Sequence, residues 1–420
     1  LVAVVLLGVT IRALVIVLTP GALVTDPDGY RRLAEQVRFD GTLGHGDLPS
    51  AFRPPLYPLL LAPLVGLGPT SPAAIAVLHL ALAAATIAMV VCWGNALGLG
   101  RASYIAALLV ACDPLLIWQS TLVMTETLAA MLAAAAGLSL ARAATCNNRG
   151  AWATAGATLA LAALCRPVFL VWLAAVVAAL LLWAWRGKMP VGAAVAVTLA
   201  AGVVLSPWAL RNWRIFGRPI VATTHGGYTM LLANNPEYYE SLRKGGWRHV
   251  WLPQGFAATQ AKLTPVQTPA DELVRDRENY RAACAAIRRE PGMFVVASLV
   301  RLGNLWVLVP HQLDGHEPPW RWGARVWVGV WYLFVFVLAA LGWRRARAPR
   351  DDDTSCSPPD RQRHWGWRLG WLLVVALSAV HLVYWTNFRM RAPALPLIAL
   401  TAAAAVSHSK RCVKEELTSR

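Results

Sequence analysis

Carboxylates and arginines that stand beside long apolar runs are the residues of this chain with the means to do chemistry. Asp26 and Asp28 lie in TDPDGYRRLAEQVRFDGTLGHGDLPSAFRPPLYP, Thr25 to Pro58, a stretch that is polar where its surroundings are apolar. Asp26 before Pro27 has the form of a helix N-cap followed by proline in the first turn. Two carboxylates so close together seldom both serve as caps. Glu126, in TLVMTETLAAML, falls at the start of another apolar run, where an ionisable group is costly and a functional role is the default reading. Asp113 of ACDPLL carries less weight, because Asp-Pro beside a helix end is often only a turn signal. Arginine suits phosphate through its permanent charge and planar fork of donors. Arg53, Arg166, Arg211, Arg389 and Arg391 all flank apolar runs. Any one of them could be an interfacial anchor, so the argument rests on their convergence on one face. His225 of TTHGGY is open to three readings: a metal ligand, a substrate contact, or an ordinary solvated loop histidine.

These groups sit in a chain built for a bilayer. With 57% hydrophobic and only 15% charged residues over 420 positions, it is too apolar for an ordinary soluble protein and reads as an all-α polytopic membrane protein. The formal net charge of +17 lies largely between apolar runs, where membrane topology and anionic lipid head groups account for it. Nucleic acid is therefore not an expected partner; membrane lipids are. The seven cysteines are scattered without CxxC spacing, which points to neither a zinc site nor a disulfide framework.

Apolar length predicts spans at Val2 to Pro20, Ala73 to Leu97, Ser103 to Trp118, Leu122 to Leu140, Trp152 to Leu164, Val168 to Trp185 and Val191 to Leu210. The first lacks a small-residue cleavage site and is expected to be retained. Arg12 within it snorkels or faces the bundle. Trp152 to Leu164 is short and could extend across Arg166-Pro167. A polar segment follows from Arg211 to Pro291, with a turn at Gly226 and a helix start at Thr268-Pro269; Leu273, Tyr280, Cys284 and Ile287 share one side of that helix. Tyr30, Leu33, Ala34 and Val37 give an earlier helix a similar apolar stripe. Both helices suit a membrane surface.

The run from Met293 to Pro310 decides the topology. A full crossing would place the basic loop from Arg344 to Arg363 outside, against the positive-inside rule, and would set Arg301 in lipid. A re-entrant or surface helix is expected there instead. With further spans at Val326 to Trp343, Leu369 to Trp385 and Pro393 to Val406, the total is about ten crossings with both termini inside. The first loop, the turn near Glu126, Arg166-Pro167, the Arg211 loop and the NFRMR turn then share one side.

In order along the chain, Asp26 four residues before Tyr30, then Arg53, Pro54, Pro55, Tyr57 and Pro58, the TE at Glu126, and PWALRN around Arg211 resemble the GT-C membrane glycosyltransferases. Among these, the bacterial relatives of protein mannosyltransferases and the lipid A aminoarabinose transferase are the most similar. The resemblance covers nearly the whole chain in span order, although each motif is short. It implies a GT-C fold with extracytoplasmic juxtamembrane helices, in the bacterial cytoplasmic membrane. It also implies transfer of a sugar from a polyprenyl-phosphate donor to a lipid, glycan or protein acceptor.

By that resemblance Asp26 is the base that deprotonates the acceptor, and Asp28 is a second catalytic candidate. Glu126 orients acceptor or sugar, and Arg53 neutralises the leaving phosphate. Tyr30, Tyr57, Arg166, Arg211, His225, Arg389 and Arg391 are the remaining substrate- or phosphate-binding candidates. A divalent metal is a possible cofactor of the family, but the acidic ligand that precedes the basic residue in the aminoarabinose transferase type is Phe52 here. Most of the twenty tryptophans read as an interfacial belt, with Trp208, Trp247 or Trp251 able to stack on a sugar. The expected organisation is a transmembrane module over 1–210 carrying the catalytic loop 21–72, an extracytoplasmic region over 211–292, and a second transmembrane module over 293–420 with a cytoplasmic basic loop at 344–365. The rival reading is a secondary transporter or lipid flippase. Such proteins usually show internal repeats, and none is apparent here.

Overall fold

In a computed structural model, residues 1–245, 251, 254–311, 318–346 and 358–407 are described. Because lipid offers no partner for backbone N–H and C=O groups, apolar runs must satisfy them internally, and the runs become helices. In the first half these are α1 (Val2–Leu18), α2 (Tyr30–Asp40), α3 (Leu56–Val65), α4 (Ser71–Ala96), α5 (Ala102–Ala111), α6 (Pro114–Gln119), α7 (Glu126–Cys146), α8 (Arg149–Cys165), α9 (Val168–Trp185) and α10 (Val191–Phe216). Beyond them come α11 (Gly226–Ala233), α12 (Pro236–Gly245), α13 (Gln254–Ala261), α14 (Pro269–Arg289), α15 (Pro291–Trp306), α16 (Pro319–Ala346), α17 (Pro358–Val383) and α18 (Leu395–Ala404). A short antiparallel hairpin, β1 (Gly44–His45) with β2 (Leu48–Pro49), interrupts the first loop.

Six described helices, α4, α7, α9, α10, α16 and α17, are long and apolar enough to cross a bilayer. The other four expected spans correspond to shorter helices, α1, α5, α8 and α18. The protein is an integral membrane protein with a helical polytopic fold. Its centre is α7, with 78% of its most apolar window buried against 22–44% in the other five. Alanines and Gly137 make that burial possible: a Cβ on Gly137 would collide with the Trp93 ring of α4.

Several boundaries differ from expectation, each for a local reason. The third expected span breaks after Ala111, where Asp113 caps α6 by accepting from Leu116 N (2.9 Å). The fifth does not run through Arg166-Pro167; α8 ends at Cys165 and Pro167 precedes a new helix. By contrast α10 continues past Leu210, so Arg211 is helical rather than in a loop. Asn212 Nδ2 donates to Ile220 O and Trp208 Nε1 to Ala222 O, folding the following chain back onto this last turn. Gly226 opens α11 rather than making a turn. The buried face of α14 is Glu272, Asn279, Ala283 and Ala286, offset from the apolar stripe read from sequence: Glu272 and Asn279 are hydrogen-bonded to Ala51 N and Gln260, while Ala283 and Ala286 pack against α11 and α12 side chains. Arg12 faces the bundle, donating to Ala111 O (2.8 Å) and Val110 O (3.0 Å). At 16 residues α15 falls short of the roughly 20 that a straight crossing needs. Its Arg301 is buried against Ala233 O and Leu382 O rather than lipid.

Beside this bundle lie α2, the hairpin and α11–α14, with small apolar clusters of their own around Leu231, Leu232 and Tyr239. Arg211 clasps the hairpin through Leu43 O (2.7 Å) and Ser50 O (2.9 Å). The buried Glu272 accepts from Ala51 N (2.9 Å), and Thr224 N donates to Ala51 O (3.0 Å). Phe52 and Arg53 leave a fixed point.

Candidate active site

From that point Arg53 reaches Asp28, with Nη2 3.5 Å from Oδ1. Asp28 is set by Gly29, whose left-handed φ of 74° turns the chain into α2. The other oxygen of Asp28 meets Arg389 Nη2 at 3.0 Å. Arg389 Nε also lies 3.6 Å from Glu126 Oε1, and Arg166 Nη1 approaches the same oxygen at 3.3 Å. Each partner is locally held. Glu126 is the first residue of α7, where the helix dipole favours an anion, and Arg166 follows the last residue of α8, where it favours a cation. Asn387 caps the 3-10 segment Phe388–Ala394 by accepting from Arg389 N (3.2 Å). Five segments remote in sequence thus supply two carboxylates and three guanidiniums, leaving one positive charge in excess.

Burial raises the Asp28 pKa, but Arg389 and then Arg53 outweigh it, and the carboxyl ends below its ordinary value. Both of its oxygens face arginine. Asp26 is differently placed: Oδ2 accepts from Arg32 N (3.0 Å) in the first turn of α2, while Oδ1 is enclosed without a hydrogen-bond partner. Pro27 lies before the helix rather than in it. Tyr57 lies within electrostatic reach of both Glu126 and Asp26. Its ring meets Tyr30 edge-on at 5.4 Å, and Arg53 stands 5.4 Å over the Tyr30 ring.

The buried His79 supports this wall. Its Nδ1 faces Ser120 O (2.9 Å), which can only accept, so the proton is on Nδ1 and the Tyr57 hydroxyl donates to Nε2 (2.8 Å). His79 was not among the sequence candidates; its signal was a lone histidine inside an apolar run. Glu272 and Asp276 were also missed, and on a charged helix such as α14 nothing marks one acid over another.

Other sequence candidates are committed elsewhere. Arg211 holds the hairpin and stacks on Trp208 at 5.1 Å. Arg391 is fully buried, donates to Val307 O (2.6 Å), and lies 3.8 Å over the ring of Tyr332, whose hydroxyl binds Asp113 (3.0 and 3.1 Å). Trp251 packs among Tyr238, Phe256 and Trp385. Trp247 lies outside the described residues. His225 contacts Phe52 (4.3 Å) and stacks on Tyr228 (5.2 Å); burial and then Arg53 push its pKa down to about 3, so the ring is neutral.

Next to Phe52 a cavity of about 580 Å³ opens between the first loop and α14. Among the described residues no three His, Cys, Asp or Glu side chains converge as metal ligands.

No family profile matches the chain, and no curated protein matches it. Solved structures do. The archaeal oligosaccharyltransferase AglB from Archaeoglobus fulgidus, in complex with an inhibitory peptide and a dolichol-phosphate, is 14% identical with TM-score 0.54 over 97% of this chain and 50% of that one. The same organism's oligosaccharyltransferase in the apo form gives 17%, 0.53, 97% and 50%. ArnT from Cupriavidus metallidurans bound to undecaprenyl phosphate is a looser match, at 16%, 0.42, 96% and 77%. The chain spans about half the length of the oligosaccharyltransferases it matches. In architecture, the chain has the fold of the GT-C membrane glycosyltransferases.

Proposed function

We propose that the protein transfers a sugar from a polyprenyl-phosphate donor to an acceptor hydroxyl at the extracytoplasmic face of the bacterial cytoplasmic membrane. The observation that carries this reading is the cluster of Asp28, Glu126, Arg53, Arg166 and Arg389, drawn from distant segments to the edge of an apolar bundle. The fold's occurrence in an enzyme that holds a dolichol-phosphate supports a lipid-phosphate donor.

Asp26 is the better base of the two loop carboxylates, because Asp28 is stabilised as an anion by two arginines. An enclosed carboxylate oxygen without a partner costs roughly 1–3 kcal/mol, which an incoming hydroxyl offsets by donating to it. The acceptor oxygen attacks the anomeric carbon, its proton passes to Asp26 Oδ1, and the bond to the phosphate oxygen breaks with the electron pair leaving on phosphate. Arg53, Arg166 and Arg389 then neutralise the developing charge, while Asp28 and Glu126 keep their forks aligned. Attack opposite the leaving group inverts the anomeric centre.

Mass spectrometry of envelope lipids, glycans and proteins from a strain lacking the gene tests this. One glycosylated product should disappear and return with the wild-type gene but not with Asp26→Asn. Unchanged profiles in the deletion strain, or full complementation by Asp26→Asn, would refute the proposal.

A further inference from the structure

The cavity beside Phe52 is unlike the arginine cluster in chemistry. At about 580 Å³ it lies within the roughly 300–1,000 Å³ of small-ligand sites. One corner is aromatic: Tyr228 meets Phe256 edge-on at 5.4 Å and Phe52 at 6.0 Å. Opposite stand Glu272, Arg275, Asp276, Asn279 and Gln260.

The hydrogen bonds already made decide what those polar groups can offer. Glu272 spends Oε1 on Ala51 N and Thr224 Oγ1, and Asp276 spends Oδ1 on Gly227 N (2.7 Å). Gln260 Nε2 donates to Asn279 Oδ1 (2.8 Å). Glu272 Oε2, Asp276 Oδ2, the Gln260 carbonyl oxygen and the Asn279 amide nitrogen carry no partner among the described residues. Among the described residues the one lining guanidinium, Arg275, is turned to the backbone carbonyls of Gln260 and Thr264. The wall is therefore rich in acceptors and, with two carboxylates to one occupied arginine, hostile to anions. Hydroxyl groups donate to such acceptors, and the C–H faces of a sugar ring pack on aromatic rings.

We propose that this cavity is a subsite for a neutral, hydroxyl-rich carbohydrate and that it rejects phosphorylated groups. That the bound carbohydrate is the acceptor rests on the function proposed above. Phe52 lines the cavity and Arg53, with its guanidinium 5.6 Å from the Phe52 ring, belongs to the ionic cluster. A glycan seated here has an end beside the reacting groups.

The test uses the full chain in lipid nanodiscs on a printed array of neutral glycans and their phosphorylated counterparts. Neutral glycans should be retained over the phosphorylated forms, and Tyr228→Ala and Gln260→Ala should each weaken retention by about tenfold or more. Circular dichroism confirms that both variants stay helical. Thr154→Ala, an exposed position on α8 outside both the cavity and the ionic cluster, should leave retention unchanged. Retention of no glycan, equal retention of phosphorylated glycans, or indifference to both cavity variants overturns the proposal. Retention without the mass-spectrometric loss described above would leave the subsite standing and refute only its role in transfer.

Discussion

Arg389 Nη2 stands 3.0 Å from Asp28 Oδ2, joining the last polar turn of the chain to the first. The same guanidinium reaches Glu126, so one planar side chain spans two carboxylates that no helix could bring together alone. The cluster requires the start of α7, the end of α8 and the 3-10 segment before α18 to lie at one level. The bundle thereby sets Glu126, Arg166 and Arg389, while the anchored hairpin sets Arg53 and the Gly29 turn sets Asp28.

Replacement of Arg389 should be costly and not rescued by lysine. An ammonium cannot fork between two carboxylates, so Arg389→Lys and Arg389→Ala should both lower kcat by about 10²–10³, the usual cost of removing one preorganised electrostatic donor. Steady-state transfer in nanodiscs checks this, and near-normal activity of the lysine variant would refute the bridging role.

Asp276 should give the fold a pH signature. Burial, with Glu272 nearby, raises its pKa to about 6, against an ordinary aspartate value of 3.8, although Gly227 N partly counters the shift. Between those values the folded state holds more protons than the unfolded, so stability falls as pH rises from about 4 to 6 and the full penalty persists above. Asp276→Asn keeps an acceptor for Gly227 N and should raise Tm at pH 7–8, the advantage vanishing below about pH 4. Thermal unfolding in detergent across pH measures it.

Tyr332→Phe separates folding from chemistry. Its hydroxyl donates to Asp113, and Arg391 covers its ring, all outside the ionic cluster. Loss of that donor leaves a buried carboxylate short of a partner, at roughly 1–3 kcal/mol. Tm should drop while kcat at low temperature holds. A collapse of kcat at unchanged Tm would place Tyr332 in the reaction.

Apolar length made the long helices legible in the sequence, because twenty greasy residues in lipid have few alternatives. The cluster was legible in kind, since acids and arginines at span ends are expensive enough to be noticed, but not in its pairings. Nothing local distinguishes Arg389, which bridges two carboxylates, from Arg391, which lies two positions on and pins Val307. Asp26 and Asp28 differ in a local bond, Asp26 accepting from Arg32 N, and in the distant arginines that reach Asp28. Short helices such as α3 escaped notice because LYPLLLAPLV carries two prolines and too little length, and packing on α2 and α4 supplies the stability its composition lacks. The carboxylates of α14 were invisible for the reason that a charged helix ordinarily shows them to water.

Arg211 offers the sharpest contrast with its sequence reading as a phosphate ligand. Its donors reach Leu43 O, Ser50 O and Asn212 Oδ1, and its plane rests on Trp208. Arg211→Ala releases the hairpin whose other end, Ala51, is tied to Glu272, so Phe52 and Arg53 lose one of two anchors. A misplacement of about 1 Å can cost about 10²-fold in rate. Arg211→Ala should therefore lower kcat strongly with only a modest change in Tm, and Arg211→Lys, able to bond one carbonyl, should recover part of it. A true phosphate ligand would behave otherwise: its loss would raise the KM for the lipid donor, and raising donor concentration would restore the rate. Kinetics across donor concentration decide between the two, since saturation cannot repair a loop that has lost its clasp.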